Sequence, residues 1–241
     1  MSSSRLPGKV LKKLNGMSVI ECVFNQLSYS KNISKVVLAT TIDKTDDDLE
    51  NWAIKNNIYY HRGSLNDVLD RYYQTAKKYF ADVVIRVTAD CPLIDPEIVD
   101  LVIDEFNSDN YDYVSNVVPP TYPDGLDTEV FSFHTLEKVW KKAMLKSDRE
   151  HVTTYIRNNL NEFRTKNVSY SENLEHLRWT LDNQEDYEFL KIIYKSLYKR
   201  NSFIKMNEVL ELLNTKKDLM DLNSHIKRNE GYQKSVSNDQ L

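Results

Sequence analysis

The chain has 241 residues, 41% of them apolar, enough to bury one large α/β core or two small ones. Its 32 basic and 36 acidic residues leave a formal net charge of -4. That balance argues against a nucleic-acid binder with a basic stripe, but not against a nucleotide held in a local basic pocket. Cys22 and Cys91 stand outside any C-x-x-C or C-x-x-H pattern, so neither a disulfide framework nor a structural zinc site is expected. No apolar run approaches the roughly 18–20 residues that span a membrane, and no apolar signal region opens the sequence. A cytoplasmic protein is the simplest expectation.

In chain order, the first half alternates between two periods. Val36-Val37-Leu38-Ala39-Thr40 and Val83-Val84-Ile85-Arg86-Val87 are short apolar runs rich in β-branched residues and read as buried strands. Helical patterns lie around them, from Ser18 to Tyr29, Asp46 to Asn56, Leu65 to Phe80 and Pro96 to Asn107. Such alternation predicts βαβ units and a mostly parallel central sheet flanked by helices. Ser64 is a candidate N-cap for the third helix, and Asp95-Pro96-Glu97 is a stronger start signal for the fourth. Two β-like pieces, Tyr111 to Val118 and Leu126 to Phe131, then bracket a Pro-rich loop, Pro119 to Gly125, in a smaller β-rich region. Helices are predicted over Leu136 to Leu145, Arg149 to Asn159, Gln184 to Lys199 and Met206 to Leu213, with a strand at Phe163 to Tyr170. Residues 1–228 read as a single domain, and 229–241 as a polar, disordered tail.

Five segments could carry chemistry. Ser2 to Lys9 combines hydroxyls, Gly8, Arg5 and Lys9, so Ser3, Ser4 and the backbone near Gly8 could cradle an anion. The alternative is a solvated end of the chain. Thr88-Ala89-Asp90-Cys91-Pro92 follows a strand, and ligands bind at the carboxyl ends of strands in open α/β sheets. Asp90 there could hold Mg²⁺ against phosphates, or cap the next helix, although Asp95 fits the cap better. Asp182, after a short apolar piece and before a helix, could be a second metal carboxylate or an N-cap. Tyr60-His61-Arg62-Gly63 turns from strand to helix, and Gly63 could admit a base or ribose, or form an ordinary turn. Asp127 and Glu129 lie two apart and share a face if extended, while His151 follows two charged neighbours and could be functional or structural.

In order and spacing these segments resemble one family. Ser3-Ser-Arg-Leu-Pro-Gly-Lys9, His61-Arg-Gly-Ser64, Asp67-Val-Leu-Asp-Arg-Tyr-Tyr73, Thr88-Ala-Asp-Cys-Pro-Leu-Ile-Asp-Pro96, Tyr113-Val-Ser-Asn116, Asp124-Gly-Leu-Asp-Thr-Glu-Val-Phe131, Arg149-Glu-His-Val-Thr153 and Leu181-Asp-Asn-Gln-Glu-Asp-Tyr187 are similar to the spore-coat polysaccharide biosynthesis protein F group. That group sits among the acylneuraminate and 3-deoxy-manno-octulosonate cytidylyltransferases. The resemblance runs from Met1 to about residue 190. It implies a Rossmann-like, nucleotide-diphospho-sugar transferase-like fold and transfer of CMP from CTP to an acidic sugar or related acceptor, with release of pyrophosphate. It further implies that Arg5 and Lys9 bind the triphosphate, that Asp90 and Asp182 hold Mg²⁺, and that Arg62 and Gly63 lie near the base. Asp127, Glu129 and His151 would face the acceptor, and a homodimer is compatible with the family.

The resemblance also implies an apolar strand ahead of the Ser2–Lys9 loop, ending in Gln-Ala-Arg-Met, which this sequence does not show. In a parallel sheet such a strand is central, so without it two strand edges are exposed and a phosphate-binding Arg is missing. A chain of this length is therefore expected to turn over CTP weakly or not at all and to be poorly soluble. Two other functions are compatible with the same residues. A nucleotide-sugar-dependent glycosyltransferase would share the fold class, but Thr88-Ala-Asp-Cys-Pro lacks the D-x-D pair such enzymes carry. A non-catalytic nucleotide-binding protein would bind CTP without releasing pyrophosphate.

Overall fold

The computed structural model describes residues 5–228, 232, 235–237 and 239. A two-residue hairpin comes first, β1 (Lys13–Leu14) against β2 (Met17–Ser18). Asn15 and Gly16 turn it at φ 47° and 89°, the pairing that favours a type I′ turn. Ser18 then caps α1 (Val19–Leu27) in a reciprocal box with Glu21.

Parallel strands β3 (Val37–Thr41) and β4 (Tyr59–Gly63) are joined through α2 (Asp47–Lys55). Helix α3 (Val68–Lys78) leads on to β5 (Val83–Arg86). The cap of α3 is Asp67, whose carboxylate accepts from Asp70 N at 2.8 Å, and not Ser64. Ser64 Oγ instead accepts from Asp67 N at 3.1 Å, so it closes the turn before the helix. Asp95 does cap α4 (Pro96–Ser108), with Pro96 in its first turn.

A second sheet has the order β5-β7-β6-β8, with β6 (Tyr113–Ser115), β7 (Glu129–Ser132) and β8 (Thr165–Asn167). Strand β7 is antiparallel to both neighbours, whereas β6 and β8 are parallel. Three helices lie between β7 and β8: α5 (Phe133–Lys142), α6 (Lys146–His151) and α7 (Thr154–Asn158). The sequence pattern predicts a single helix from Arg149 to Asn159, but Val152 at φ 61° breaks it. A β-branched residue in that region cannot propagate a right-handed helix. After β8 come α8 (Gln184–Leu197), α9 (Met206–Thr215) and α10 (Asp218–Asp221).

Helices cover the sheets with their apolar faces. Leu69 and Tyr73 of α3 pack with Phe131, Leu136 and Val139, while Val99, Val102 and Phe106 of α4 pack on Val114 and Val130. A third cluster joins Leu14, Trp179, Leu181, Phe189 and Ile193, seating α8 against the segment that precedes it. Among the described residues no helix is long and apolar enough to cross a membrane. The expectation of a disordered tail falls largely on residues outside those described. Of the rest, Tyr232 meets the His151 ring edge-on at 5.3 Å, and Ser235 Oγ donates to Glu150 at 2.6 Å.

The two sheets do not join. Among the described residues β3 pairs only with β4 and β5 only with β7, and a cavity of about 650 Å³ lies along both. Its walls include Val23 and Phe24 of α1, Tyr72 of α3 and Ile103 of α4. This explains a departure from the sequence reading: every residue of β5 is partly accessible, not buried. Among the described residues each of these two strands thus presents one edge without a partner strand. Hydrogen exchange checks this. Amides of β3 and β5 directed at the cavity should exchange roughly tenfold or more faster than those of β6, which is paired on both sides. Equal protection of all three strands would contradict an open edge.

Candidate functional site

Three segments meet where β5 ends. The first is a 3₁₀ turn, Lys9–Leu11, whose N-cap Gly8 sits at φ 67°. That left-handed conformation costs glycine little and aims the next residue inward. Lys9 Nζ lies 2.6 Å from Asp90 Oδ2, 2.8 Å from Asp182 Oδ1 and 2.8 Å from the Leu181 carbonyl. Burial works against the Lys9 charge, but Asp90 and Asp182 outweigh it and hold its pKa above the usual lysine value. Arg5 adds a second cation, 3.3 Å from Asp182 Oδ1. Ser3 and Ser4 lie outside the described residues.

The second segment is the turn after β5. Thr88 Oγ1 and Cys91 Sγ stand 3.1 Å apart, and the Asp90 carbonyl accepts from Leu181 N at 2.8 Å. Cys22 and Cys91 are both free and buried. The third segment is Arg178–Asp182. Asp182 does not cap α8, because Asn183 does so in a box with Asp186. Its carboxylate is left to face Lys9, Arg5 and, at 2.9 Å, Arg178. Two carboxylates converging on one ammonium form a cation site of the right donor chemistry for Mg²⁺, which takes one or two carboxylates and completes its shell with water and phosphate oxygens. Among the described residues no cluster of three or more His, Cys, Asp or Glu could hold a metal by protein groups alone.

Next to this pair stands the loop that carries Asp124 and Asp127. Asp124 N donates to the Leu177 carbonyl at 2.8 Å, and Trp179 N to the Asp124 carbonyl at 2.6 Å. Burial, reinforced by Asp127, pushes the Asp124 carboxyl up to about 6 against the pull of Arg228 and Arg178. Asp127 is also raised, chiefly by burial, although Arg228 Nη2 reaches it at 2.6 Å.

Glu129 is more enclosed. It is 1% exposed, pairs with Arg86, and accepts from Tyr113 Oη and Thr153 Oγ1, each at 2.6 Å. Arg157 stands 3.6 Å away. Burial alone would raise its pKa, but the two arginines bring it below the usual glutamate value. His151 ends α6 with its Nε2 buried and without a hydrogen-bond partner, and burial lowers its pKa.

The predicted base-binding residues stand apart from these contacts. Arg62 Nε donates to Thr41 O at 2.7 Å, Nη2 reaches Asp43 O at 2.8 Å and Asp47 at 2.7 Å, and Nη1 pairs with Glu50. Gly63 ends β4, where a Cβ would meet Arg71 Cγ at 3.0 Å. Sequence reasoning missed Arg86, Arg157, Arg178, Asp186 and Arg228. For two of them a signal was present: Arg86 and Arg178 each interrupt an apolar run, and a charge buried in such a run needs a partner.

The family model described as cytidylyltransferase matches residues 1–225. The spore coat polysaccharide biosynthesis protein SpsF of Bacillus subtilis is 33% identical over 227 residues, which cover 90% of this chain and 92% of that protein. A solved cytidylyltransferase structure from Leptospira borgpetersenii is 31% identical with a TM-score of 0.88, covering 95% of each chain. The fold is also that of a CMP:2-keto-3-deoxy-manno-octonic acid synthetase solved in complex with CTP. That match has a TM-score of 0.60 at 15% identity and covers 81% of this chain and 95% of that one.

Proposed function

Because the chain belongs to the cytidylyltransferase family, we propose that it transfers CMP from CTP to a hydroxyl of an acidic sugar or related acceptor, in the assembly of a surface polysaccharide or glycoconjugate. The observation that carries this reading is the Lys9 ammonium held between Asp90 and Asp182. The site is built to place positive charge between two carboxylates, beside a loop rich in phosphate-binding residue types. Arg5, Lys9 and the backbone from Ser3 through Gly8 bind the triphosphate. Asp90 and Asp182 would hold Mg²⁺, which when bound would supply charge neutralisation at the phosphates. Thr88 lines the same turn, and Arg62 and Gly63 would contact the base, away from the metal carboxylates.

The acceptor oxygen bonds to the α-phosphorus, the bond from that phosphorus to the bridging oxygen breaks, and pyrophosphate leaves. The hydroxyl proton passes to a base. Asp127 is the candidate, since burial raises its pKa above the usual carboxylate range and so makes it a stronger base than an exposed aspartate. In this structure Arg228 occupies it. An acceptor carboxylate that takes Arg228 would free Asp127 for that role, which is one reason to favour an acidic acceptor. Glu129 fixes Arg86 and Arg157 beside His151, leaving those cations to line the acceptor pocket. The names of the relatives, one in polysaccharide biosynthesis and one acting on an octonic acid, support the same class.

A pyrophosphate-release screen tests this reading. CTP, UTP, GTP and ATP are each offered with a panel of nonulosonates, octulosonates and neutral sugars. Release with CTP and an acidic sugar alone is expected. Release with a neutral sugar, or with a nucleotide other than CTP, would overturn the assignment. CTP binding without release by any acceptor would make the chain a nucleotide-binding protein instead.

A further inference from the structure

Arg178 lies in none of the roles described above, yet it is the most heavily engaged side chain near them. Its side chain is 5% exposed. Nε and Nη2 hold the two oxygens of Asp186 at 2.9 and 3.1 Å, Nη1 reaches Asp124 Oδ2 at 3.0 Å, and Nη2 reaches Asp182 Oδ2 at 2.9 Å. Asp186 is itself fully buried and accepts the N–H groups of Asp182 and Asn183 at 2.9 and 3.0 Å. Asn223 Nδ2 closes the group, donating to Asp186 Oδ1 at 3.0 Å and to the Arg178 carbonyl at 2.9 Å. Structural anchoring accounts for the fork on Asp186. It does not require that the same guanidinium also hold one oxygen of Asp182 while the other faces Lys9.

We propose that Arg178 is a positioning residue for the divalent cation: it fixes the rotamer of Asp182, so that Oδ1 is presented to the cation and Oδ2 is not. This inference rests on the assignment of Asp90 and Asp182 as metal ligands. Mg²⁺ accepts little departure from octahedral geometry, so a carboxylate free to rotate or to chelate through both oxygens is a poor ligand for it. Outer groups that orient metal ligands commonly contribute 10–100-fold in affinity. Arginine suits the task because its planar fork meets several carboxylate oxygens in fixed directions, which a lysine ammonium cannot do. Burying Asp182, Asp186 and Asp124 together without that cation would leave three carboxylates in mutual repulsion. A chain of alternating charges continues outward. Arg228 stands 3.9 Å from Asp124 and 2.6 Å from Asp127, so Arg178 joins the metal carboxylate to the loop that carries the proposed base.

The test is binding of Mn²⁺, followed by electron paramagnetic resonance, to the full chain in the presence of CTP. Arg178→Lys keeps the charge and loses the fork. It should weaken Mn²⁺ binding about tenfold, with CTP affinity measured without metal changed less than about twofold. Asp124→Asn leaves the contact with Asp182 in place, so its Mn²⁺ affinity should stay within about twofold of the parent chain even if its melting temperature falls. A folded Arg178→Lys chain with unchanged Mn²⁺ affinity overturns the proposal. So does an Asp124→Asn chain that loses as much Mn²⁺ affinity as Arg178→Lys, since general loosening would then explain both. Should Arg178→Lys fail to fold, Asp124→Asn decides alone: tenfold weaker Mn²⁺ binding overturns the assignment, and retained binding supports it. A parent chain that binds CTP but no Mn²⁺ sinks the metal reading itself, and this inference with it.

Discussion

Asp90→Asn should leave a folded protein that has lost metal-dependent pyrophosphate release by at least about a hundredfold, the scale on which a single group stabilising transition-state charge contributes. The substitution keeps the size and one acceptor oxygen, and removes the charge. The fold has reason to survive. Asp90 meets its surroundings through its carbonyl, which accepts from Leu181 N at 2.8 Å, and that bond is untouched. Lys9 loses one partner but keeps Asp182 and the Leu181 carbonyl. The loss should therefore appear in turnover and in Mg²⁺ requirement, with circular dichroism and melting temperature nearly unchanged. Turnover within tenfold of the parent chain at saturating Mg²⁺ would mean that Asp90 is not a metal ligand.

The sequence marks Asp90 as a candidate and Arg178 only as a charge in need of a partner, and the difference follows from where each finds its partners. Asp90 ends a β-branched run, and the helix behind it already has a cap in Asp95. Both facts are local. Asp182 was open to two readings because it precedes a helix, and only the box between Asn183 and Asp186 shows that it is not needed as a cap. Arg178 is joined to Asp124 across 54 residues of chain, a pairing no local pattern announces. The same holds for Arg86 with Glu129, 43 residues apart. Short runs rich in β-branched residues place β3 and β5 to within a residue, because such side chains favour extended backbone. The hairpin at Asn15-Gly16 went unread although its turn chemistry is local. The break at Val152 had no signal at all, since a positive φ at a β-branched residue is imposed by packing rather than propensity. Arg62 shows the opposite limit: a conspicuous motif residue whose guanidinium is engaged by Thr41, Asp43, Asp47 and Glu50, all close in sequence.

Gly125→Ala should be strongly destabilising. Gly125 sits at φ 116°, outside the range that a side chain tolerates. A Cβ there would come 2.7 Å from the Trp179 carbonyl carbon and 2.8 Å from Thr180 N. Those are backbone atoms of the segment that carries Arg178 and Asp182, and they cannot swing away as a side-chain end could. The loop would have to lift from that segment, at the expense of the Trp179 N–H bond to the Asp124 carbonyl at 2.6 Å and of the Arg178–Asp124 pair at 3.0 Å. Strain and lost contacts together should cost about 2–4 kcal/mol. For a domain of this size that lowers the melting temperature by roughly 5–15 °C. Gly16→Ala is the matched control, because Gly16 also has a positive φ, 89°, but nothing lies within 4 Å of its Cβ position. It carries the backbone strain alone, about 1 kcal/mol. If the two variants melt together, close approach of the loop to Trp179 is not what Gly125 serves. If Gly125→Ala melts well below Gly16→Ala, the close approach of the loop to Trp179 and Thr180 is what Gly125 serves.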